Sequence, residues 1–498
     1  MKRTSLTTAV IAGLAGVAGI ANMAGAVNLS SDGTGSVLIY PYYTVNSNNV
    51  TLLSVVNTTG EGKAIKVRFL EAYNSREVLD FNLYMSPYDV WTAEVDPVGA
   101  GAGVTTSDNS CTVPGFVGQT VPFVNYAYAG ACSDSGPTGL ARTTEGYVEM
   151  IEMGTVNDNT SGSLSAITHD NTGVPASCAQ VVNAWGLAGS AANYWSADPT
   201  VDIGPADGGL FGSGTVVNVG QGTVEGYNAD ALEGFYAAGG FDHQAPGTVK
   251  PDLNDAAAGL VAYTINTSGA GTAPSVATTT FTRPVDAVSA VFMTDNIYNE
   301  FVVNSAYGQS TEWVVTFPTK RFYVDPAAFV TALDPFDEVF GETIDGYSCT
   351  PVSISYYDRE EGPRNPPPSI GFSPPLPGTD PNVPVLCWET NIVTFNQSGD
   401  QSTVLGSNRV ANIDIKPDSI TAGWVNLSFD DQNGNGYHNL VGTGAAGDNV
   451  FQGLPATGFS VQQTINANAA PGMLANYTAL YNHKYNRVCA STAGGPCS

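Results

Sequence analysis

The chain has 498 residues, 43% of them hydrophobic, and carries a formal net charge of −28 although only 12% of its residues are charged. That acidity excludes nucleic acid and anionic lipid surfaces as partners, because their phosphates would be repelled. The supply of 23 Tyr, 20 Phe and 6 Trp excludes a disordered chain, which lacks the apolar surface to build a core.

Met1-Lys2-Arg3 gives a positive start, Leu6 to Ile20 is apolar, and Ala24-Gly25-Ala26 is a small-x-small site. Together they predict a signal peptide over residues 1–26, cleaved before Val27. The apolar run is too short and too Gly-rich for a spanning helix, which needs roughly 20 apolar residues. Residue 27 is Val, not Cys, which argues against a lipid anchor. Loss of Lys2 and Arg3 takes the net charge from −28 to −30. No later segment is apolar for long enough to predict a transmembrane helix.

Short strands separated by turn residues follow. They are predicted at 37–40, 50–56, 64–70, 78–84 and 90–95. In the third, Ile65, Val67 and Phe69 alternate with Lys66 and Arg68. Gly99 to Gly103 imitates a nucleotide loop but lacks the third glycine and the βαβ context, so a flexible loop is expected. A strand returns at 147–153. Residues 178–195 and 229–238 look weakly helical, and 155–280 reads as loops and short elements. Residues 285–302 are ambiguous, with Val285, Val288, Val291 and Phe292 at helical spacing. Strands are predicted at 311–317, 352–358, 384–395, 410–415, 423–429 and 458–465, and 472–487 is either a helix or a last strand pair. Residues 361–384 hold nine of the chain's 30 prolines and predict an exposed loop. The expected fold is mainly β: a β-sandwich framework, Ig-like or jelly-roll-like, with long Gly/Pro-rich loops and a few short helices. The expected division is 27–325 and 326–498.

Seven cysteines in an exported chain read first as disulfides. Proximity suggests Cys111–Cys132, Cys349–Cys387 and Cys489–Cys497. Cys178 is then left over, though it can replace either member of the first pair. No CxxC is present, so redox-motif chemistry has no support.

Asp431-Gln432-Asn433-Gly434-Asn435-Gly436-Tyr437 fits the first half of a calcium loop. Side-chain oxygens at positions 1, 3 and 5 converge on one ion, Gly at 6 makes the sharp turn, and the Tyr437 carbonyl takes position 7. Position 12 is Gly442, not Glu, so the bidentate carboxylate is missing. Asp431, Asn433, Asn435 and Tyr437 are the candidate metal ligands and calcium the candidate cofactor; a plain Asn-Gly turn is the competing reading. Leu454 to Gly458 matches LPxTG without the hydrophobic span and basic tail of an anchor. Glu149 and Glu152 are three apart on a strand and so point to opposite faces. Asp334, Asp337, Glu338, Glu342 and Asp345 read as a solvated face or a diffuse cation site. The four His are scattered, and HExxH, GxSxG and GK[ST] are absent. No catalytic residue is nominated.

Two blocks, NSREVLDFNLYMSPYDVW at 74–91 and TEWVVTFPTKRFYVD at 311–325, resemble segments of uncharacterised secreted β-rich proteins of Gram-negative bacteria. The acidic, Lys-poor, Thr/Asn/Gly-rich composition resembles that of surface-layer proteins. Neither resemblance implies an activity. The leading expectation is an exported, non-enzymatic cell-surface or extracellular structural protein, a surface-layer or filament subunit with calcium support, whose partners are further copies of itself or cell-surface components. One alternative is an adhesin or carbohydrate binder that uses Trp, Tyr and Asn on sheet faces or loops. A second is an outer-membrane barrel, which the proline loop and the seven cysteines fit poorly.

Overall fold

A computed structural model describes residues 25–186, 193–256, 261–266, 275–360, 363–364, 384–396, 402–414, 420–431, 436–443, 449–492 and 497. The protein is mainly β. The predicted strands near the N-terminus form at Val37–Thr44, Val50–Asn57, Gly62–Glu71, Glu77–Met85 and Val90–Val98. They divide between two antiparallel sheets. One runs Asn28–Leu29, Asp230–Glu233, Val37–Thr44, Glu145–Val156, Gly62–Glu71, Glu77–Met85, Cys111–Val113, with Ile203–Gly204 added beside Glu145–Val156. The other runs Thr223–Asn228, Leu210–Asn218, Val50–Asn57, Val90–Val98, Gly101–Thr105, Thr120–Pro122. Alternation sends Leu38, Ile65 and Val67 from the first sheet and Leu53, Val55 and Trp91 from the second into a shared core.

The other face of the first sheet is covered too. Lys66 and Arg68 alternate with the apolar residues as predicted, yet both are fully buried. Lys66 Nζ donates to Asp80 Oδ2 at 2.9 Å and to the Ala245 carbonyl at 3.0 Å. Arg68 donates to Glu77 at 2.8 Å and to Glu149 at 2.7 Å. Buried charges persist where such partners meet them.

A second pair of sheets follows. One runs Pro363–Arg364, Ser353–Asp358, Ala422–Ser428, Asn296–Val302, Lys484–Asn486; the other runs Val410–Asp414, Thr390–Asn396, Gln309–Thr316, Thr457–Thr464, Tyr477–Asn482. Ile297, Phe301, Trp313, Phe395, Val425 and Leu427 fill the space between them, with Phe301 and Phe395 stacked at 5.5 Å. The back of the latter sheet contributes Val314, Ile392, Phe459 and Val461 to the first framework's core, where Tyr227 stacks on Phe459 at 4.9 Å. The helical spacing at 285–292 is a helix, Pro284–Phe292, buried from Val285 onward. It packs into the same cluster as Val37, Ile39 and Ile151. The two frameworks are thus joined through packed cores.

Several expectations change. Strands 296–302 and 309–316 pair with C-terminal strands, so the sheets divide before Asn296 and not after Asp325. Residues 230–233 form a strand, not a helix, because pairing with 37–39 and 28–29 overrides a weak local preference. Gly101–Thr105 is a strand rather than a flexible loop. Gly101 and Gly103 are needed there, since a Cβ would come within 2.6 Å of Thr143 Oγ1 and 2.8 Å of the Val121 carbonyl. Within 155–280, Leu210–Asn218 and Thr223–Asn228 are full sheet members. The last segment forms two strands, Tyr477–Asn482 and Lys484–Asn486, which join different sheets and do not pair with each other.

Cys349–Cys387 and Cys489–Cys497 are bonded as expected, but Cys111 pairs with Cys178, leaving Cys132 free and exposed. The short helix Cys178–Ala184 packs against strand Cys111–Val113 and brings its first residue to the strand. Most of the proline segment 361–384, which the Cys349–Cys387 bond brackets, lies outside the described residues. Val27 is fully buried, and its amide donates to the Val261 carbonyl at 2.8 Å. The residue expected to begin the mature chain is therefore already part of the fold.

Candidate functional site

Trp424 stands on the outer face of its sheet. Within the strand Ala422–Ser428, Val425 and Leu427 point into the core, so Trp424, Asn426 and Ser428 point outward. Of the six tryptophans, Trp424 is 41% exposed and the other five are at most 8% exposed. Register places Tyr357 on one side of it and Glu300 on the other. The next row outward is Ser355, Asn426, Tyr298 and Lys484. Tyr357 stacks on Trp424 with ring centroids 4.5 Å apart and planes 12° from parallel, which holds the indole in one orientation.

This outer face borders a groove of about 710 Å³. Trp424, Tyr298, Glu300 and Lys484 form its floor; Tyr481 and Asn482 from the edge strand Tyr477–Asn482, and Asn228 from the edge strand Thr223–Asn228, form its walls. The two edge strands are tied to one another rather than open: Thr478 Oγ1 donates to the Val224 carbonyl at 2.6 Å. Asn299 Nδ2 donates to the Asn482 carbonyl at 3.1 Å and fixes the wall to the floor. The groove therefore offers flat aromatic faces, side-chain amides, one carboxylate and one ammonium. Ring faces present apolar C–H-binding surface, and the amides and charged groups donate to and accept from hydroxyls. A ligand with alternating apolar and hydroxyl surfaces matches that inventory.

A smaller cavity of about 320 Å³ lies between the frameworks and contains Asp230, His483 and Arg487. Its polar groups serve the protein: Asp230 accepts from Thr457, His483 Nε2 lies 2.8 Å from the Val314 carbonyl, and Arg487 donates to the Val291 carbonyl.

The residues nominated from sequence do not gather at the groove. Asp430–Asp431 pairs antiparallel with Gly436–Tyr437. Asn433 and Asn435 lie outside the described residues, as do the side chains of Asp431 and Tyr437. Among the described residues, no three His, Cys, Asp or Glu side chains are grouped so as to hold a metal ion. Glu149 meets Arg68, and Glu152 meets Lys63 at 2.9 Å, so the two carboxylates belong to separate ion pairs. In the acidic segment, Glu338 accepts from the Cys349 amide at 2.6 Å and Glu342 from the Val339 amide at 3.0 Å, so both carboxylates hold nearby backbone.

His243 lies in a loop and is buried against Trp185 and Trp195. Its Nδ1 donates to the Pro199 carbonyl at 2.7 Å, and its Nε2 accepts from the Tyr84 hydroxyl at 2.9 Å. That arrangement suits the neutral ring, and burial pushes the imidazole down to about 4. Because the folded value lies below the unfolded one, the stabilisation is present above pH 6.5 and is lost as pH falls through 4. Between pH 7 and pH 4.5 the wild type is expected to lose about 2–3 kcal/mol relative to His243→Gln, read as converging thermal midpoints. A constant difference between the two proteins would remove His243 from the acid response.

The groove residues were not individually nominated from sequence. The signal was present in 423–429: Val425, Leu427 and Phe429 mark the buried phase, which leaves Trp424 on the polar one. Comparisons with protein-family models, with curated proteins and with solved structures found no match to this chain.

Proposed function

We propose that this is an exported glycan-binding protein whose recognition surface is the Trp424 groove. The observation that carries the reading is the one exposed tryptophan, held by Tyr357 at the floor of a groove whose other groups are Tyr, Asn, Glu and Lys. Trp424 and Tyr481 are both exposed beside the same groove, and neighbouring exposed rings of this kind mark a binding surface. Three disulfides support a location outside the cytoplasm, where such bonds persist. Among the described residues, no helix is long and apolar enough to cross a membrane.

The groove favours binding over the assembling-subunit expectation. The two edge strands beside it lie against each other, tied by side-chain hydrogen bonds from Asn476 to the Gln221 carbonyl and from Thr478 to the Val224 carbonyl, which obstructs strand addition by a second copy at this place. Calcium at Asp431–Tyr437 enters as a separate expectation, and running the titration with calcium and with chelator keeps it apart from the groove.

The test is calorimetric titration of the mature protein with a panel of neutral and acidic oligosaccharides. Trp424→Ala should weaken binding by about 2 kcal/mol, roughly thirtyfold, as expected for an aromatic hot spot. Equal affinity in the variant, with its fold intact by circular dichroism, would place the site elsewhere.

A further inference from the structure

Trp424 and Glu300 also border a second groove, of about 480 Å³. Its remaining lining includes Val302, Asp358, Arg359 and Gln462. Strand Asn296–Val302 passes through both spaces: Tyr298 lines the first groove, Glu300 both, and Val302 the second. From Tyr298 to Val302 the strand rises about 13 Å. The two grooves are therefore one trough along the strand, with Trp424 at its middle.

Charge limits what can lie in it. The first groove carries Glu300 and Lys484, and the second adds Asp358 and Arg359, so acid and base balance locally. The chain around the trough carries a net −28, which repels uronic acids and sulfated or phosphorylated sugars. Gln462 Nε2 donates to the Glu300 carbonyl at 3.3 Å, tying the wall of the second groove to the strand that runs through the first.

From this in-line geometry we infer that the ligand is a linear, uncharged polysaccharide, bound along its length across Trp424 rather than by one terminal sugar. The inference rests on the glycan-binding reading above and adds the second groove as a subsite. Gluco-, manno- and xylo-oligosaccharides of one to six units, together with an oligogalacturonide series, are the probes. Affinity should rise with length for at least one neutral series and stay low for the acidic one. Arg359→Ala and Gln462→Ala, both on the second groove alone, should each reduce that gain with length, and Trp424→Ala should weaken every length.

If affinity is complete with one or two units, or if the gain with length survives both second-groove variants, the trough is not used as inferred and the glycan reading stands on the first groove only. Tighter binding of the acidic series would overturn the charge argument. If no saccharide binds, the glycan reading and this inference fall together.

Discussion

Arg142→Ala is expected to destabilise the protein by about 3–5 kcal/mol, the cost of stranding buried charges whose partner is removed. Arg142 is 2% exposed. Its Nη1 donates to Asp134 Oδ1 at 2.7 Å, and its Nη2 donates to Asp134 Oδ2 at 2.7 Å and to Glu71 Oε1 at 2.9 Å. The guanidinium lies 4.3 Å from the centre of the Tyr128 ring. Burial opposes its charge, but Glu71 and Asp134 outweigh burial and hold it protonated, above its ordinary value. Glu71 in turn accepts from the amides of Tyr73, Asn74 and Arg76, so one ion cluster shapes the turn at 72–76. Arg142→Lys keeps the charge but loses the fork, and should fall between wild type and Ala. Thermal denaturation of the three proteins checks the order; an Ala variant within about 0.5 kcal/mol of wild type, as for an ordinary surface change, would contradict it.

Removing the Cys111–Cys178 bond is the second large effect. The bond closes a separation of 67 residues. Loop-closure entropy then assigns it about 4 kcal/mol. It also holds the helix Cys178–Ala184, and with it Val181, Ala184 and Trp185, over Tyr84 and Met153. Cys111→Ser with Cys178→Ser should therefore lower the denaturation midpoint strongly, while Cys132→Ser should change stability by less than about 0.5 kcal/mol. In the unreduced wild type, maleimide should label Cys132 alone. Label found on Cys178 would restore the Cys111–Cys132 pairing.

Much of the fold was legible because a half-buried strand writes its faces into every second residue. The alternation of Ile65, Val67 and Phe69, and of Trp313, Val315 and Phe317, predicted strands that formed. What the pattern could not say is which residues cover the opposite face. Lys66 and Arg68 read as polar and are buried, Lys66 beneath the segment around Ala245 and Arg68 between Glu77 and Glu149. Cysteine pairing failed for a related reason: separation along the chain is a poor guide when a long excursion returns to its starting strand. Asp230–Glu233 shows that pairing at a sheet edge outweighs weak helical preference.

The candidate site was legible in part. Trp424 stands on the polar phase of its strand, which sequence alone shows. That Tyr357, Tyr298, Glu300 and Lys484 stand beside it depends on the register of four strands drawn from 296–302, 353–358, 422–428 and 484–486. The two resembling blocks, 74–91 and 311–325, meet at the junction of the frameworks instead. There Arg76 pairs with Asp325 at 2.9 Å and Arg321 donates to the Ser75 carbonyl at 3.1 Å. Their role in the fold is to join the frameworks, and neither block lines the Trp424 groove.

Glycan binding at Trp424 is tested most directly by acrylamide quenching of tryptophan fluorescence, with and without saturating neutral oligosaccharide. Five of the six tryptophans are buried, so the accessible fraction reports Trp424; Trp424→Phe supplies the reference without it. Bound ligand is expected to shield this fraction and bring the wild type to the level of the variant. A Trp424 that remains as accessible to acrylamide at saturation as in the free protein would contradict it.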